Sequence, residues 1–457
     1  MDLLQTVNPA TGDVLQSYTI IDKKIINQRI EKAHGVFLNW RNTSFPERSK
    51  LLQEVARLLK KGQEEYARLI ATEMGKPITA CRAEIEKCIW VCEHYACEAE
   101  SYLQSREIKT DMKKCLVVHQ PLGVIFAIMP WNFPFWQVLR FAAPTIMAGN
   151  TAVLSHAPIS TGTGNAIAAL FEAAGAPAGL FQHLIVDNAG AATIIAHERV
   201  AGVTLTGSET AGRSVAQTAG RHLKKVVLEL GGSDPYIVLE DADLDLAAQA
   251  IVTSRLNNSG QVCIAAKRVI AVRDIENELI DKIQLLVSQY KLGAPLDPST
   301  QIGPMARADL RQTVHQQVMD SIALGAELLL GGELPRGAGY YYPATILTNV
   351  RPGTPAFDEE VFGPVIACVT AEDEQDAIKL ANLSRFGLAA AVFTRDTKRG
   401  EAIAKDAIDC GSCMVNTFVA SDPRVPFGGI KASGYGRELS REGILEFVNI
   451  KTIGIHE

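Results

Sequence analysis

Aromatic residues are scarce in this 457-residue chain, at 6% against 47% hydrophobic overall, and neither sign of charge is in large excess, the formal balance being −6. The first shortage, beside 36 glycines, suits a large Ala/Val/Ile-rich α/β enzyme better than a β-sandwich or a disordered scaffold. The second leaves no broad basic surface, so nucleic acid is not expected as the main partner. Long apolar runs are also missing. The longest, "LGVIFAIM" from Leu122 to Met129, is far shorter than a bilayer span, and no membrane association is expected. Neither a basic n-region nor an apolar h-region shows in "MDLLQTVNPATGDVL", and the cysteine count of nine is odd. Reduced thiols and a cytoplasmic location are therefore expected. Paired metal-ligand spacing is lacking too. "CGSC" at Cys410 to Cys413 is a single C-x-x-C inside an apolar run that reads as a strand, and no metal is expected.

What is present is alternation. At this length two or three domains are expected. Residues from about 46 to 105 show helical spacing, interrupted at Gly75 before Lys76 and Pro77, with Cys81, Cys88 and Cys92 on one helical face. From about 113 the chain reads as extended. Short apolar runs such as "TAVLS", "GVTLTGS" and "KVVLEL" then take turns with amphipathic ones such as "TAGRSVAQTAG". That pattern predicts βαβ crossovers and a mostly parallel sheet covered on both faces. A second such stretch begins at "KRVIAV" and predicts a second α/β domain.

Several residues then raise a chemical question. Cys263 follows a Gly-Gln turn in "NNSGQVCIAAKRV", although free cysteine is usually a small buried hydrophobe. Asn132 sits between aromatics and a proline in "PWNFPFW". Glu229 ends an apolar strand in "LELGGSDP", where a carboxylate is costly unless solvated, paired or used. Glu360 and Phe362 lie in "EEVFGPV", and a glycine-rich turn surrounds Gly428 and Gly429. "TLTGSETAG" ends a predicted strand at Leu205 and opens a helix near Ser208, leaving free N–H groups for an anion, with Gly207 allowing close approach. The G-x-G-x-x-G fingerprint is absent. Taken singly, each has a plain structural reading: a turn asparagine, a satisfied strand end, a core phenylalanine, an ordinary strand-to-helix turn.

Taken in order, "NPATG", "PWNFP", "LTGS", "LELGG", "NSGQVC", "EEVFGPV" and "PFGGIKASGYGRE" closely resemble the aldehyde dehydrogenase superfamily over nearly the whole chain. The likeness through "IMPWNFPFWQVLR" and "GQVCIAAKR" is to bacterial succinate-semialdehyde dehydrogenases. The resemblance implies a Rossmann-type dinucleotide-binding domain (1–103 and 122–230), an α/β catalytic domain (231–436) and a small β oligomerisation extension (104–121 and 437–457) that builds homodimers or homotetramers. It implies that Cys263 attacks an aldehyde, that Asn132 and the Cys263 N–H hold the oxyanion, and that Glu229 activates the water that hydrolyses the thioester. It implies cofactor contacts from Trp131, Ser155, Pro158, Gly207, Ser208, Leu230, Glu360 and Phe362.

Two departures from the family pattern stand out. Ser155 occupies a lysine's usual place, which removes a cation for a 2′-phosphate, while Pro158 in the place of a ribose-binding glutamate removes the usual bar to one; NAD is expected over NADP. Asn257 stands where some succinate-semialdehyde enzymes have an arginine, so a carboxylate clamp must come from elsewhere. Arg140, eight residues beyond Asn132 and about two helical turns away, is the candidate, either for a substrate carboxylate or for a buried ion pair within the protein. Other small aldehydes, a CoA-acylating dehydrogenase and a non-catalytic structural member remain alternatives, with intact Cys263 and Glu229 speaking against the last two.

Overall fold

The computed structural model describes residues 3–456. The helical stretch resolves into Phe45–Lys61, Gln63–Met74 and Ile78–Leu103. Ser44 and Glu47 close a capping box on the first. Gly75, at φ 80°, ends the second in the left-handed conformation that glycine adopts without strain. Cys81, Cys88 and Cys92 are all buried along the third.

Two mainly parallel sheets form the body. Across the first, the order is Gly434–Tyr435, Lys225–Glu229, Val200–Thr206, Val124–Met129, Thr151–His156 and Phe181–His183. All neighbours are parallel except Gly434–Tyr435, which returns from late in the chain to pair antiparallel with Leu228 and Glu229. From Val124–Met129 the chain first builds outward on one side, through Thr151–His156, and later on the other, through Val200–Thr206. The order therefore reverses there, and the crevice at the carboxyl ends of those strands is where open α/β sheets bind ligands.

The second sheet runs Glu327–Leu330, Thr345–Thr348, Val365–Ala371, Ala266–Val272, Asp234–Val238, Ala389–Phe393 and Ser412–Val415, with only the first pair antiparallel. Cys413 lies on its edge strand and Cys410 precedes it, so the strand takes in only one end of "CGSC". A third sheet pairs Val448–Ile455, Lys114–Pro121 and Arg106–Glu107 antiparallel. Two N-terminal features had no anticipation in the sequence: a hairpin of Leu3–Val7 and Val14–Thr19, and the helix Lys23–Trp40. "NPATG" is the hairpin's turn, closed by Gly12 N–H donating to the Asn8 carbonyl at 2.7 Å.

Candidate active site

The loop before Cys263 is strained and tightly held. After the helix Leu244–Leu256, Asn258, Ser259 and Gly260 take φ of 49°, 55° and 74°, a run that non-glycine residues keep only when neighbours over-determine it. The neighbours do so. Asn258 Nδ2 donates to the Asn132 carbonyl at 2.8 Å, and Ser259 Oγ exchanges two 3.0 Å hydrogen bonds with the Gly303 backbone. A Cβ on Gly260 would stand 2.2 Å from the Gly363 carbonyl oxygen, so only glycine fits. Fully buried Arg255 donates to the carbonyls of Gly260, Val361 and Val365, tying this loop to the segment that carries Glu360 and Phe362. From the other side, Lys267 Nζ donates to the carbonyl of Val262 at 3.0 Å and to that of Cys263.

Asn132 meets this loop from the first sheet. Its Oδ1 accepts from Gln137 Nε2 at 2.9 Å, and one Nδ2 hydrogen goes to the Gln261 carbonyl at 2.9 Å. A carboxamide nitrogen has two hydrogens, so the other is free. The following helix, Trp136–Met147, carries Arg140. Its first turn is capped from another helix: Glu84 Oε1 accepts from the N–H groups of Phe135 at 2.8 Å and Trp136 at 3.0 Å. Glu84 Oε2 pairs with Lys76 Nζ at 2.5 Å, with both side chains essentially inaccessible, and that ammonium lies 3.6 Å from the Phe133 ring centre.

Cys263 opens onto a pocket of about 460 Å³ lined also by Lys87, Trp136, Arg140, Asn257, Ser421 and Phe427. Burial pushes its thiol up to about 12, against the pull of Lys267 and Arg140. At neutral pH the resting thiol is therefore overwhelmingly protonated and needs a proton acceptor to become a nucleophile. Arg140 forms the buried ion pair that was one of its two readings: its guanidinium pairs with Glu438, donates to Thr206 Oγ1 at 3.4 Å and lies 4.8 Å from the Phe427 ring centre. It also faces the pocket, so the second reading keeps its geometric basis.

Glu229 is 2% exposed, and neither of its carboxylate oxygens has a hydrogen-bond partner among the described residues. Burial, and then nearby Glu438, push its carboxyl well above the usual carboxylate range, opposed by Arg140 and Arg437. The side chain packs against Gly428, where a Cβ would come within 2.6 Å of Oε1.

The residues singled out for a dinucleotide fall into three places. Gly207 and Ser208 follow the strand Val200–Thr206, and Ser208 caps the helix Glu209–Arg221 by accepting from Ala211 N–H at 3.3 Å. A Cβ on Gly207 would touch only Leu205, at 3.7 Å, so the backbone stands open at a helix N-terminus, a fit for a pyrophosphate. Buried Leu230 packs beneath that helix against Gly212. Ser155 is buried near the end of Thr151–His156, while Pro158 is exposed just beyond it. Trp131 and Phe362 meet edge to face at 5.8 Å. Glu360 accepts from Gly232 N–H at 3.0 Å and lies 3.4 Å from Lys267 Nζ; a Cβ on Gly231 would fall 2.2 Å from its Oε2. Among the described residues, no group of three or more His, Cys, Asp or Glu is placed to hold a metal, and no helix is long and apolar enough to cross a membrane.

A thiol on a pinned loop beside a carboxamide with a free N–H, next to a doubly wound sheet open for a dinucleotide, defines the class. The model of the aldehyde dehydrogenase family matches residues 2–453, and the chain belongs to that family, which makes it an NAD(P)-dependent oxidoreductase of aldehydes. It is 45% identical over 448 residues to the succinate semialdehyde dehydrogenase Sad of Escherichia coli strain K12, named for NAD(P)+, covering 98% of this chain and 97% of that protein. It is 41% identical over 448 residues to the succinate-semialdehyde dehydrogenase of Deinococcus radiodurans, named for NADP(+), covering 98% and 94%. A crystal structure of succinic semialdehyde dehydrogenase from Streptococcus pyogenes with NADP+ superposes with a TM-score of 0.97 at 36% identity, covering 99% of this chain and 100% of that one.

Lys76, Glu84, Lys87, Arg255 and Glu438 had no assigned part in the sequence. Glu438 alone stood inside a quoted motif, "PFGGIKASGYGRE".

Proposed function

We propose that the chain oxidises succinate semialdehyde to succinate with NAD(P), through a thioester on Cys263. One observation carries the reading: the Cys263 pocket is walled by two cationic side chains, Lys87 and Arg140, so an aldehyde bearing a second, anionic end fits it better than a neutral one.

In this reading Glu229, once ionised, takes the Cys263 proton and passes it to solvent, and the thiolate adds to the aldehyde carbon. The free Asn132 amide hydrogen and the Cys263 N–H, which donates to nothing among the described residues, stabilise the oxyanion; each such donor is worth about 2.7–4 kcal/mol. Gly207, Ser208, Leu230, Ser155, Pro158, Trp131, Glu360 and Phe362 would hold NAD(P), which would supply the hydride acceptor needed for the adduct to become a thioester. Glu229, once ionised, takes a proton from the water that attacks the thioester carbonyl, and Cys263 leaves as thiolate. A bare, buried carboxylate is a strong base, which supports that role. Arg140, partly neutralised by Glu438, adds positive potential to the pocket and is the proposed substrate-binding cation.

The lean towards NAD rests on Ser155, which supplies no cation for a 2′-phosphate, and the names of the relatives give it no support. The kcat/KM ratio for the two cofactors, and its shift towards NADP in Ser155→Lys, reads that position. Residues 104–121 and 437–457 are proposed to join homodimers or homotetramers: Ile450, Ile453 and Ile455 are exposed on the edge strand Val448–Ile455. Nine free cysteines support a reducing compartment, the cytoplasm.

The test is a panel of succinate semialdehyde and butanal, each with NAD and NADP and with or without CoA. The expected result is a strong preference for succinate semialdehyde and formation of succinate without CoA. Equal use of both aldehydes removes the substrate, and a requirement for CoA removes the hydrolytic half-reaction.

A further inference from the structure

The pocket's two cations are not equivalent. Arg140, on Trp136–Met147, is already paired with Glu438. Lys87, on Ile78–Leu103, has no carboxylate within ion-pair distance among the described residues. Its Nζ donates to Ser421 Oγ at 2.7 Å and lies 4.4 Å from the Trp136 ring centre; Ser421 and Trp136 line the same pocket. An ammonium carries three hydrogens, so after Ser421 and the ring face one remains for a ligand. The groups that act on it are mostly cationic or neutral, Arg140, Lys76 and Cys88, together with the anion Asp422, and burial with Arg140 brings Lys87 down to about 8. A half-buried cation with a spare donor, facing a second cation across a pocket, lacks one thing, a counter-anion.

We propose that Lys87 receives the distal carboxylate of the substrate directly and is the residue that makes this enzyme select a carboxylate-bearing aldehyde over a neutral one. The inference rests on reading the Cys263 pocket as the aldehyde site. It assigns the clamp left open by neutral Asn257 to a helix that contributes nothing to the Cys263 loop, and it gives Arg140 the supporting part. A ligand carboxylate supplies the missing negative charge and stabilises the protonated amine, so binding and protonation of Lys87 favour each other.

The experiment compares wild type, Lys87→Met and Lys87→Arg on succinate semialdehyde and on butanal across pH 6.5 to 9.5. A charged hydrogen bond of this kind is worth about 10- to 100-fold, so Lys87→Met should raise KM for succinate semialdehyde by that factor with a much smaller change in kcat. Butanal should lose less than about threefold, and Lys87→Arg should keep most of the preference. In wild type, KM for succinate semialdehyde should climb above pH 8 as free Lys87 loses its proton, while the Lys87→Met profile stays flat there. Equal losses on both aldehydes would mean that Lys87 is only structural, and the proposal falls. If wild type prefers succinate semialdehyde and Lys87→Met keeps that preference, the role of Lys87 falls while the substrate reading stands. If wild type shows no preference, the substrate reading has failed first.

Discussion

Glu84 and Glu229 are both almost completely buried, yet they are held in opposite ways. Glu84 spends its oxygens on Lys76 and on two backbone N–H groups at the start of the helix behind Asn132. Glu229 has no partner on either oxygen and stands beside another buried carboxylate, Glu438. A buried charge with both oxygens partnered is a girder, and removing one partner exposes the cost of the other. A buried carboxyl with none satisfied keeps its proton and, once it loses it, is a strong base. The two halves of the site divide along this line. The side that carries Asn132 and the Cys263 loop is cross-tied; the side that carries Glu229, the proposed base, is left bare.

The largest expected effect falls on the proposed nucleophile. Cys263→Ala should lower aldehyde oxidation by several orders of magnitude while cofactor still binds, read by NAD(P)H fluorescence; dehydrogenase turnover surviving in that variant would sink the thioester route. Glu229→Gln should come next. Steady-state turnover drops by about 10²–10⁴, as for loss of a general base, and mass spectrometry after one turnover finds an acyl group on Cys263. Normal turnover without a trapped adduct would put Glu229 outside the chemistry.

Glu84→Gln should instead act on the fold. It leaves Lys76 as an uncompensated buried cation, and chemical denaturation should show a loss of about 3–5 kcal/mol. Unchanged stability would erase the distinction between the two carboxylates.

The smallest effect is a matter of pH. Because the carboxyl of Glu229 is raised in the folded state, the stability it contributes is complete below its unfolded value and is lost as pH rises through its folded value. Glu229→Gln should therefore melt higher than wild type at alkaline pH, with the gap closing towards acid by at most about 1.4 kcal/mol per pH unit. A gap that widens towards acid would reverse the assignment.

Much of the architecture could be read in advance because its signals are local. Strand and helix periodicity located most elements from 45 onward, and Gly75 marked the end of a helix through its own backbone freedom. The N-terminal hairpin escaped because its first strand, "LLQTV", is too short for periodicity to speak, and the helix Lys23–Trp40 because its apolar face is diluted by charge. Arg140 left two readings open since a lone arginine in an apolar run announces that it needs a partner without saying which; the partner, Glu438, lies at the far end of the chain. Lys87 gave no signal at all, since an exposed helical lysine and a pocket lysine look alike in sequence.

The sequence by itself determined the family, most of the order of elements from residue 45 onward and the candidate reactive groups, because motifs and periodicities are written in neighbouring residues. Only the tertiary structure decided which of those groups are charged, paired or bare. The protonated thiol of Cys263, the high carboxyl of Glu229, the Arg140–Glu438 pair and a Lys87 with no carboxylate partner among the described residues all follow from burial and from neighbours brought together across the chain. Desolvation and Coulomb interactions depend on distance in space, and separation along the sequence does not fix that distance.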